Sequence, residues 1–97
     1  MKIKWAIPAL ADLQNLHAYI ADDNPRAAGK VVSKVRAAVT MLGSHSKMGR
    51  AGRVEGTREL VIGGTPFIVA YYIERDRIVI VAVIHSARRW PESFEND

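Results

Sequence analysis

Cysteine is absent from the sequence, and histidine occurs only three times in its 97 residues. Without cysteine there is no disulfide and no thiolate chemistry, and a reducing compartment is permitted. The three histidines are scattered, so they supply no set of metal ligands at useful spacing. Gly63-Gly64 follows a predicted strand but opens a hairpin instead of a helix, so it does not form a phosphate-binding loop. We therefore expect neither a metal nor a cofactor.

Long apolar runs are absent as well. The longest, Ile78 to Ile84, is far too short for a membrane-spanning helix, which needs about 20 residues. Met1 to Trp5 alternates between polar and apolar residues and leads into Pro8, so no secretory signal is visible. These two absences predict a cytoplasmic protein that has no membrane partner.

Length and composition are those of one small globular domain. The 97 residues are 48% hydrophobic and 25% charged, and we expect a single domain over residues 1–97. The net charge of +4 suits an acidic protein partner or a nucleic acid and does not choose between them. Much of the positive charge falls in two short segments, at Arg50, Arg53 and Arg58 and again at Arg88 and Arg89.

The first half of the chain predicts one strand and two helices. Lys2 to Trp5 alternates as a strand does. Pro8 suits the first turn of a helix, and apolar residues recur at helical spacing after it. Asn24 and Pro25 are typical of the start of a second helix, which Gly43 ends. The short connector between the helices predicts an antiparallel helical hairpin.

The second half predicts an antiparallel sheet. After a loop over residues 44–52, turn signals separate three apolar runs, at Arg58–Ile62, Phe67–Glu74 and Ile78–Ile84. The fold class is therefore α+β in the order β-α-α-β-β-β, with the helical hairpin packed on one face of a mostly antiparallel sheet. The last run is apolar on both faces, which is typical of a central strand. The face that the hairpin leaves open is covered either by the C-terminal end, with Trp90 and Phe94, or by a partner protein.

One group of polar residues could carry catalysis. His85 ends the central strand, and Arg53, Arg58, Glu59 and Arg88 could converge near it. A metal-free ribonuclease needs a general base, a general acid and cations for the phosphorane charge, roles that Glu59 or His85 and the arginines would fill. Arg58 and Glu59 are strand neighbours and so face opposite sides, which argues against one shared site. The alternative is that His85 is hydrogen-bonded to the backbone and only structural.

Several blocks of the sequence resemble the conserved blocks of RelE/ParE toxins. The three main blocks are Gly52 to Leu60, Ile68 to Ile73 and Val83 to Pro91. Trp5, Pro8 to Leu13 and Asp23 to Ala28 are similar to the first strand, first helix and helix connector of that family. Each block is short, but their order and spacing together are specific and cover nearly the whole chain.

The resemblance implies the toxic component of a type II toxin–antitoxin system, with growth inhibition and plasmid stabilisation as its effects. A cognate antitoxin, a short acidic protein, would neutralise it in a toxin–antitoxin hetero-oligomer. RelE-like members cut messenger RNA in the ribosome, using basic residues with a tyrosine or histidine near the C-terminus. ParE-like members share the fold without that catalytic set, and several poison DNA gyrase.

The C-terminal sequence is closer to the ParE branch. The chain has no tyrosine after Tyr72 and no lysine after Lys47, and the nuclease position is occupied by Arg88-Arg89-Trp90-Pro91. The resemblance therefore favours inhibition by binding a target such as DNA gyrase, through a basic rim formed by Arg50, Arg53, Arg58, Arg88, Arg89 and Trp90. The alternative is a ribosome-dependent mRNA endoribonuclease that uses His85, Arg58, Glu59, Arg53 and Arg88. The sequence leaves open whether the protein is an enzyme.

Overall fold

The computed structural model describes residues 1–94, which form two helices and one five-stranded sheet. The elements in chain order are β1 (Lys2–Trp5), α1 (Ile7–Ala21), α2 (Pro25–Leu42), β2 (Arg50–Ala51), β3 (Arg58–Val61), β4 (Phe67–Glu74) and β5 (Arg77–His85). The strand order across the sheet is β1-β5-β4-β3-β2. Neighbouring strands are antiparallel except for β1 and β5, which are parallel. The predicted α+β class and the mostly antiparallel sheet are confirmed.

Local sequence explains where the helices begin and end. The side chain of Asn24 accepts a hydrogen bond from the backbone N–H of Ala27, and Pro25 occupies the first turn of α2, where its missing N–H costs nothing. Gly43 follows the last residue of α2, as predicted. Helix α1 begins at Ile7, has Pro8 in its first turn and has no side-chain cap. Residues 1–94 contain the helices α1 and α2, and neither is long and apolar enough to cross a membrane.

The structure adds a strand to the predicted order. Arg50 and Ala51, inside the predicted loop over residues 44–52, pair with Glu59 and Arg58 of β3 and form β2. Two residues are too few to show a period in the sequence, so no pattern distinguishes this strand from a loop. Its effect is to bring Arg50 directly opposite Glu59 at one edge of the sheet.

Strand β5 lies inside the sheet and is buried on both faces, as its apolar sequence predicts. It pairs with β1 on one side and with β4 on the other, and its residues from Ile78 to Ile84 are buried. The ladder with β4 contains a bulge: Ala70 is opposite Ala82 and Tyr71 is opposite Ile80, so Val81 has no opposite residue. Beyond the bulge, the alternation of side chains between the two faces of the sheet is inverted.

The two faces of the sheet have different covers. The helical hairpin covers one face, here called the hairpin face, where α1 and α2 pack against residues such as Val69, Tyr71 and Ile80. The opposite face, here called the tail face, carries a second apolar cluster that includes Ala70, Val79 and Val81. Trp90 and Phe94 pack against this cluster. The sequence predicts that either the C-terminal end or a partner protein covers the open face. The structure shows the C-terminal segment, residues 86–94, packed on this face.

A buried tyrosine fixes the loop that follows α2. The hydroxyl of Tyr71 accepts a hydrogen bond from the N–H of Gly49 at 2.9 Å and donates one to the carbonyl of Ser46 at 2.8 Å. A Cβ atom at Gly49 would lie 2.7 Å from that hydroxyl oxygen, so the close approach requires glycine. The loop is thereby held against β3 and β4, which sets the position of β2.

We expect the substitution Tyr71→Phe to lower the free energy of unfolding by about 1–3 kcal/mol, because it leaves the Gly49 N–H and the Ser46 carbonyl without a partner. Urea denaturation monitored by circular dichroism measures the change. Tyr19, which is 80% exposed, provides the control: Tyr19→Phe should change the stability by less than about 0.5 kcal/mol. Equal stabilities of the two variants would contradict the role assigned to the Tyr71 hydroxyl.

Candidate functional site

A buried carboxylate organises the edge of the sheet at β2 and β3. Glu59 is only 3% exposed, and it accepts hydrogen bonds from the N–H of Arg53 at 2.7 Å and from the Nε of Arg53 at 3.2 Å. Nη2 of Arg53 and Nη2 of Arg50 reach its other oxygen at 3.4 Å and 3.2 Å. Burial acts to raise the pKa of Glu59, but these hydrogen bonds and the charge of Arg53 outweigh it and hold the pKa below its ordinary value.

The same arginine connects Glu59 to the C-terminal segment. The guanidinium carbon of Arg53 lies 3.8 Å from the centroid of the Trp90 ring, in a cation–π contact. Trp90 in turn packs edge-on against Phe94, with ring centroids 6.2 Å apart. The side chains of Arg50 and Arg53 stay 58% and 45% exposed. Arg50, Arg53 and Trp90, three members of the predicted basic rim, thus form one surface around Glu59.

The other members of the predicted rim lie elsewhere. Arg58 is on the hairpin face, since Leu60, two residues along the same strand, packs in the hairpin-face cluster. Its Nη1 donates to the carbonyl of Gly49 at 2.8 Å, which ties it to the loop after α2. Arg88 and Arg89 are exposed in the C-terminal segment, just after the turn that follows β5. The structure therefore places Arg58 on the opposite face of the sheet from Arg50 and Arg53, and the predicted rim as a contact surface stays a prediction.

His85 does not join Glu59. Its ring packs edge-on against Phe67, a residue of the hairpin-face cluster, with centroids 5.6 Å apart. Nδ1 of His85 accepts a hydrogen bond from the N–H of Ala87 at 3.1 Å. Glu59 is opposite Ala70 in the sheet and His85 is opposite Phe67, a separation of three residues along β4, or about 10 Å. The two side chains also lie on opposite faces, so the predicted acid–base pair is not brought together.

The bulge at Val81 explains why His85 and Glu59 lie on opposite faces of the sheet. In a regular strand beginning at Ile78 on the hairpin face, alternation would place His85 on the tail face with Glu59. The unpaired Val81 shifts the alternation by one residue, and Val83 and His85 return to the hairpin face. The candidate ribonuclease residues His85, Arg58, Glu59, Arg53 and Arg88 therefore do not form one cluster, and their catalytic roles stay a prediction.

Sequence reasoning assigned no function to Asp12, which joins α1 to the central strand. One carboxylate oxygen of Asp12 accepts a hydrogen bond from the N–H of Val83 at 2.9 Å. Strand β1 pairs with β5 only as far as Ile80, so Val83 lies beyond the end of β1 and takes its partner from the helix. Burial raises the pKa of Asp12, against the opposing effects of the Val83 hydrogen bond and of the nearby Arg88.

Asp12, His85 and Arg88 also line a cavity of about 840 Å³ between the helical hairpin and the end of the sheet. Leu16 and Phe67, which belong to the hairpin-face cluster, contribute apolar walls to it. Within residues 1–94, no group of three histidine, aspartate or glutamate side chains could hold a metal ion. The cavity therefore offers an apolar surface with an acid and two basic groups at its margin.

The sequence from residue 3 to residue 90 matches the family model described as the ParE toxin of the type II toxin–antitoxin system parDE. This chain belongs to that family. It is 41% identical over 91 residues to "Putative toxin Y4kP" of Sinorhizobium fredii, covering 94% of each chain. It is 31% identical over 87 residues to "Toxin RelE2" of Caulobacter vibrioides, covering 90% of this chain and 97% of that one.

The fold of the ParE family is also found among solved structures. A chain from the chromosomal ParDE toxin–antitoxin system of P. aeruginosa superimposes with a TM-score of 0.77 at 27% identity, covering 88% of this chain and 95% of that one. The predicted membership of the RelE/ParE family, closer to the ParE branch, is confirmed. The protein is thus a type II toxin of the ParE/RelE family, and this membership implies a cognate antitoxin as its partner.

For this ParE-family chain, Asp12 gives a pH-dependent prediction. Because its pKa is raised in the folded protein, Asp12 favours folding at pH values below its unfolded pKa, and this contribution is lost as the pH rises through the folded pKa. Asp12→Asn keeps an oxygen acceptor for Val83 and removes the buried charge. We expect the melting temperature of the variant to rise relative to the wild type between pH 4 and pH 7, measured by thermal denaturation across pH.

Two further variants test the assignment. Asp12→Ala should lower the free energy of unfolding by about 1–3 kcal/mol, because the Val83 N–H then has no partner. Asp22→Asn, the same change at an exposed position, should alter the stability by less than about 0.5 kcal/mol at neutral pH. A loss of stability in Asp12→Asn that equals the loss in Asp12→Ala at neutral pH would show that the charge itself is needed.

Proposed function

We propose that this toxin arrests growth without catalysis, by binding DNA gyrase through the surface formed by Arg50, Arg53 and Trp90. The observation that carries this proposal is the arrangement of Glu59 and His85. A ribonuclease would need these two groups near one phosphate, and they lie on opposite faces of the sheet, about 10 Å apart along β4.

The chemistry of Glu59 supports the same conclusion. A general base works best with a pKa near the operating pH and with a lone pair directed at the substrate. Glu59 has a lowered pKa, is buried, and accepts hydrogen bonds at both oxygens. The two arginines that would clamp a phosphate are therefore held by a carboxylate of the protein, which suits recognition of a protein surface better than chemistry on RNA.

The partners follow from family membership and charge. Several ParE-like toxins poison DNA gyrase, which makes gyrase the leading target for a chain that lacks a tyrosine after Tyr72. The net charge of +4 suits a short acidic antitoxin, which would neutralise the toxin in a hetero-oligomer. With gyrase as its target, the toxin would act in the cytoplasm, and plasmid stabilisation is the expected outcome for a plasmid that encodes the pair.

A supercoiling assay tests the proposal. Purified toxin should inhibit supercoiling by gyrase, and a purified antitoxin encoded beside it should restore the activity. Arg50→Gln should weaken inhibition, because Arg50 is an exposed cation of the proposed contact surface. Arg36→Gln removes an equal charge from the exposed side of α2 and should leave inhibition within about twofold of the wild type, as expected for a surface change outside the interface.

A second assay tests the alternative, that the toxin is a ribosome-dependent ribonuclease. The toxin is added to translating ribosomes, and the messenger RNA is mapped for cleavage. Cleavage by the wild type that is lost in the double variant His85→Ala, Arg58→Ala, together with unaffected gyrase, would establish the ribonuclease activity and contradict the binding mechanism.

A further inference from the structure

Glu59 is the one charged side chain that is buried among residues 1–94. A buried carboxylate is costly unless cations and hydrogen bonds compensate it, and here two arginines supply both. The compensation comes from two different segments. Arg50 belongs to β2, whereas Arg53 belongs to the loop between β2 and β3. The carboxylate therefore fixes the relative positions of two exposed cations.

The contacts continue from Glu59 to the C-terminal segment. Arg53 directs Nε and Nη2 to the carboxylate, which sets the plane of its guanidinium, and the guanidinium carbon lies 3.8 Å from the centroid of the Trp90 ring. Trp90 also contacts Phe94 and the tail-face cluster. The indole Nε1 of Trp90 is buried without a hydrogen-bond partner, so no hydrogen bond from its own ring fixes the orientation of Trp90. The orientation depends on packing and on Arg53.

We propose that Glu59 is the positioning residue of the toxin's target-contact surface, holding Arg50, Arg53 and Trp90 in the geometry that the target binds. This inference rests on the proposed function and assigns that surface a preorganised structure. Glu59 fixes the position of Arg53, and Arg53 in turn fixes the orientation of Trp90. Preorganisation matters because an arginine that is already held in place loses less conformational entropy when it binds.

The surface also indicates the chemistry of its partner. Two guanidinium groups share one carboxylate, so the cluster carries a net charge of +1, and Arg50 gives only one of its N–H groups to Glu59. The remaining donors suit carboxylates on a protein. A nucleobase is disfavoured, because the guanidinium of Arg53 already occupies one face of the Trp90 ring, where a base would stack.

A purely electrostatic role and a positioning role of Glu59 predict opposite effects of Glu59→Gln on target binding. If the surface attracted an acidic target by charge alone, removal of a carboxylate would raise the cluster charge and strengthen binding. If Glu59 positions the arginines, the same change weakens binding. Glu55→Gln is the matched control, since Glu55 is exposed in the loop between β2 and β3, makes no ion pair among residues 1–94, and its replacement changes the net charge equally.

The experiment compares gyrase inhibition by the wild type and by the Glu59→Gln, Glu59→Asp, Arg53→Lys and Glu55→Gln variants, after thermal denaturation has shown each variant folded at the assay temperature. We expect Glu59→Gln to weaken inhibition by about tenfold or more, because hydrogen bonds to a charged group are lost. Glu59→Asp should recover part of the inhibition, and Glu55→Gln should match the wild type. Arg53→Lys, which keeps the charge at an exposed position, should weaken inhibition and serves as the test if Glu59→Gln does not fold.

A spectroscopic measurement follows the position of Trp90 directly. In a Trp5→Phe background, Trp90 is the one remaining tryptophan. Its fluorescence emission should move to longer wavelength and its quenching by acrylamide should increase in Glu59→Gln and Arg53→Lys, but not in Glu55→Gln. Unchanged Trp90 fluorescence in a folded Glu59→Gln variant would overturn the proposal.

The two proposals fail in distinguishable ways. If the wild type does not inhibit gyrase, the proposed target is wrong, and growth arrest on expression in cells then replaces supercoiling as the readout for the same variants. In that assay Glu59→Gln should lose toxicity while Glu55→Gln keeps it. Equal toxicity of the two variants, or stronger activity of Glu59→Gln in either assay, would show that Glu59 does not position the contact surface.

Discussion

The fold depends on one strand that is buried on both faces. Strand β5 pairs with β1 and β4 along its two sides, and seven consecutive residues from Ile78 to Ile84 are buried. A strand of this kind needs a cover on each face of the sheet, because each large apolar side chain removed from water contributes about 1.5–3 kcal/mol. The helical hairpin supplies one cover. The C-terminal segment supplies the other with Trp90 and Phe94.

The charged surface is a consequence of the second cover. Within the C-terminal segment, Trp90 is the residue that reaches Arg53, in the loop between β2 and β3, while it also packs on the tail-face cluster. Besides its apolar contacts, Trp90 packs against the guanidinium of Arg53, and this guanidinium forms an ion pair with the buried carboxylate of Glu59. The packing of the C-terminal segment and the ion pairs of Glu59 are therefore linked, because Arg53 takes part in both. A change in either one is transmitted to the other through Arg53.

Much of the fold follows from local patterns in the sequence. Asn24 and Pro25 start α2 where capping chemistry predicts, and β4 has the predicted bounds, because these features depend on neighbouring residues alone. The alternation of Arg58 and Glu59 also predicts their opposite faces. Strand β2 could not be predicted, since two residues have no period, and its pairing depends on β3. The tether from Asp12 to Val83 spans 71 residues of sequence, and local patterns contain no information at that distance.

The candidate site was less predictable than the fold, and the bulge at Val81 is the main reason. Because every residue from Ile78 to Ile84 is apolar, an extra residue there does not change the hydrophobic pattern, and its position is seen only in the pairing with β4. The bulge decides which face of the sheet His85 occupies. Strand length therefore decides which face of the sheet the histidine occupies: without the extra residue, alternation would place His85 on the tail face instead of beside the helices. Within one fold, a single insertion or deletion in β5 is enough to move the histidine at the end of this strand from one face of the sheet to the other.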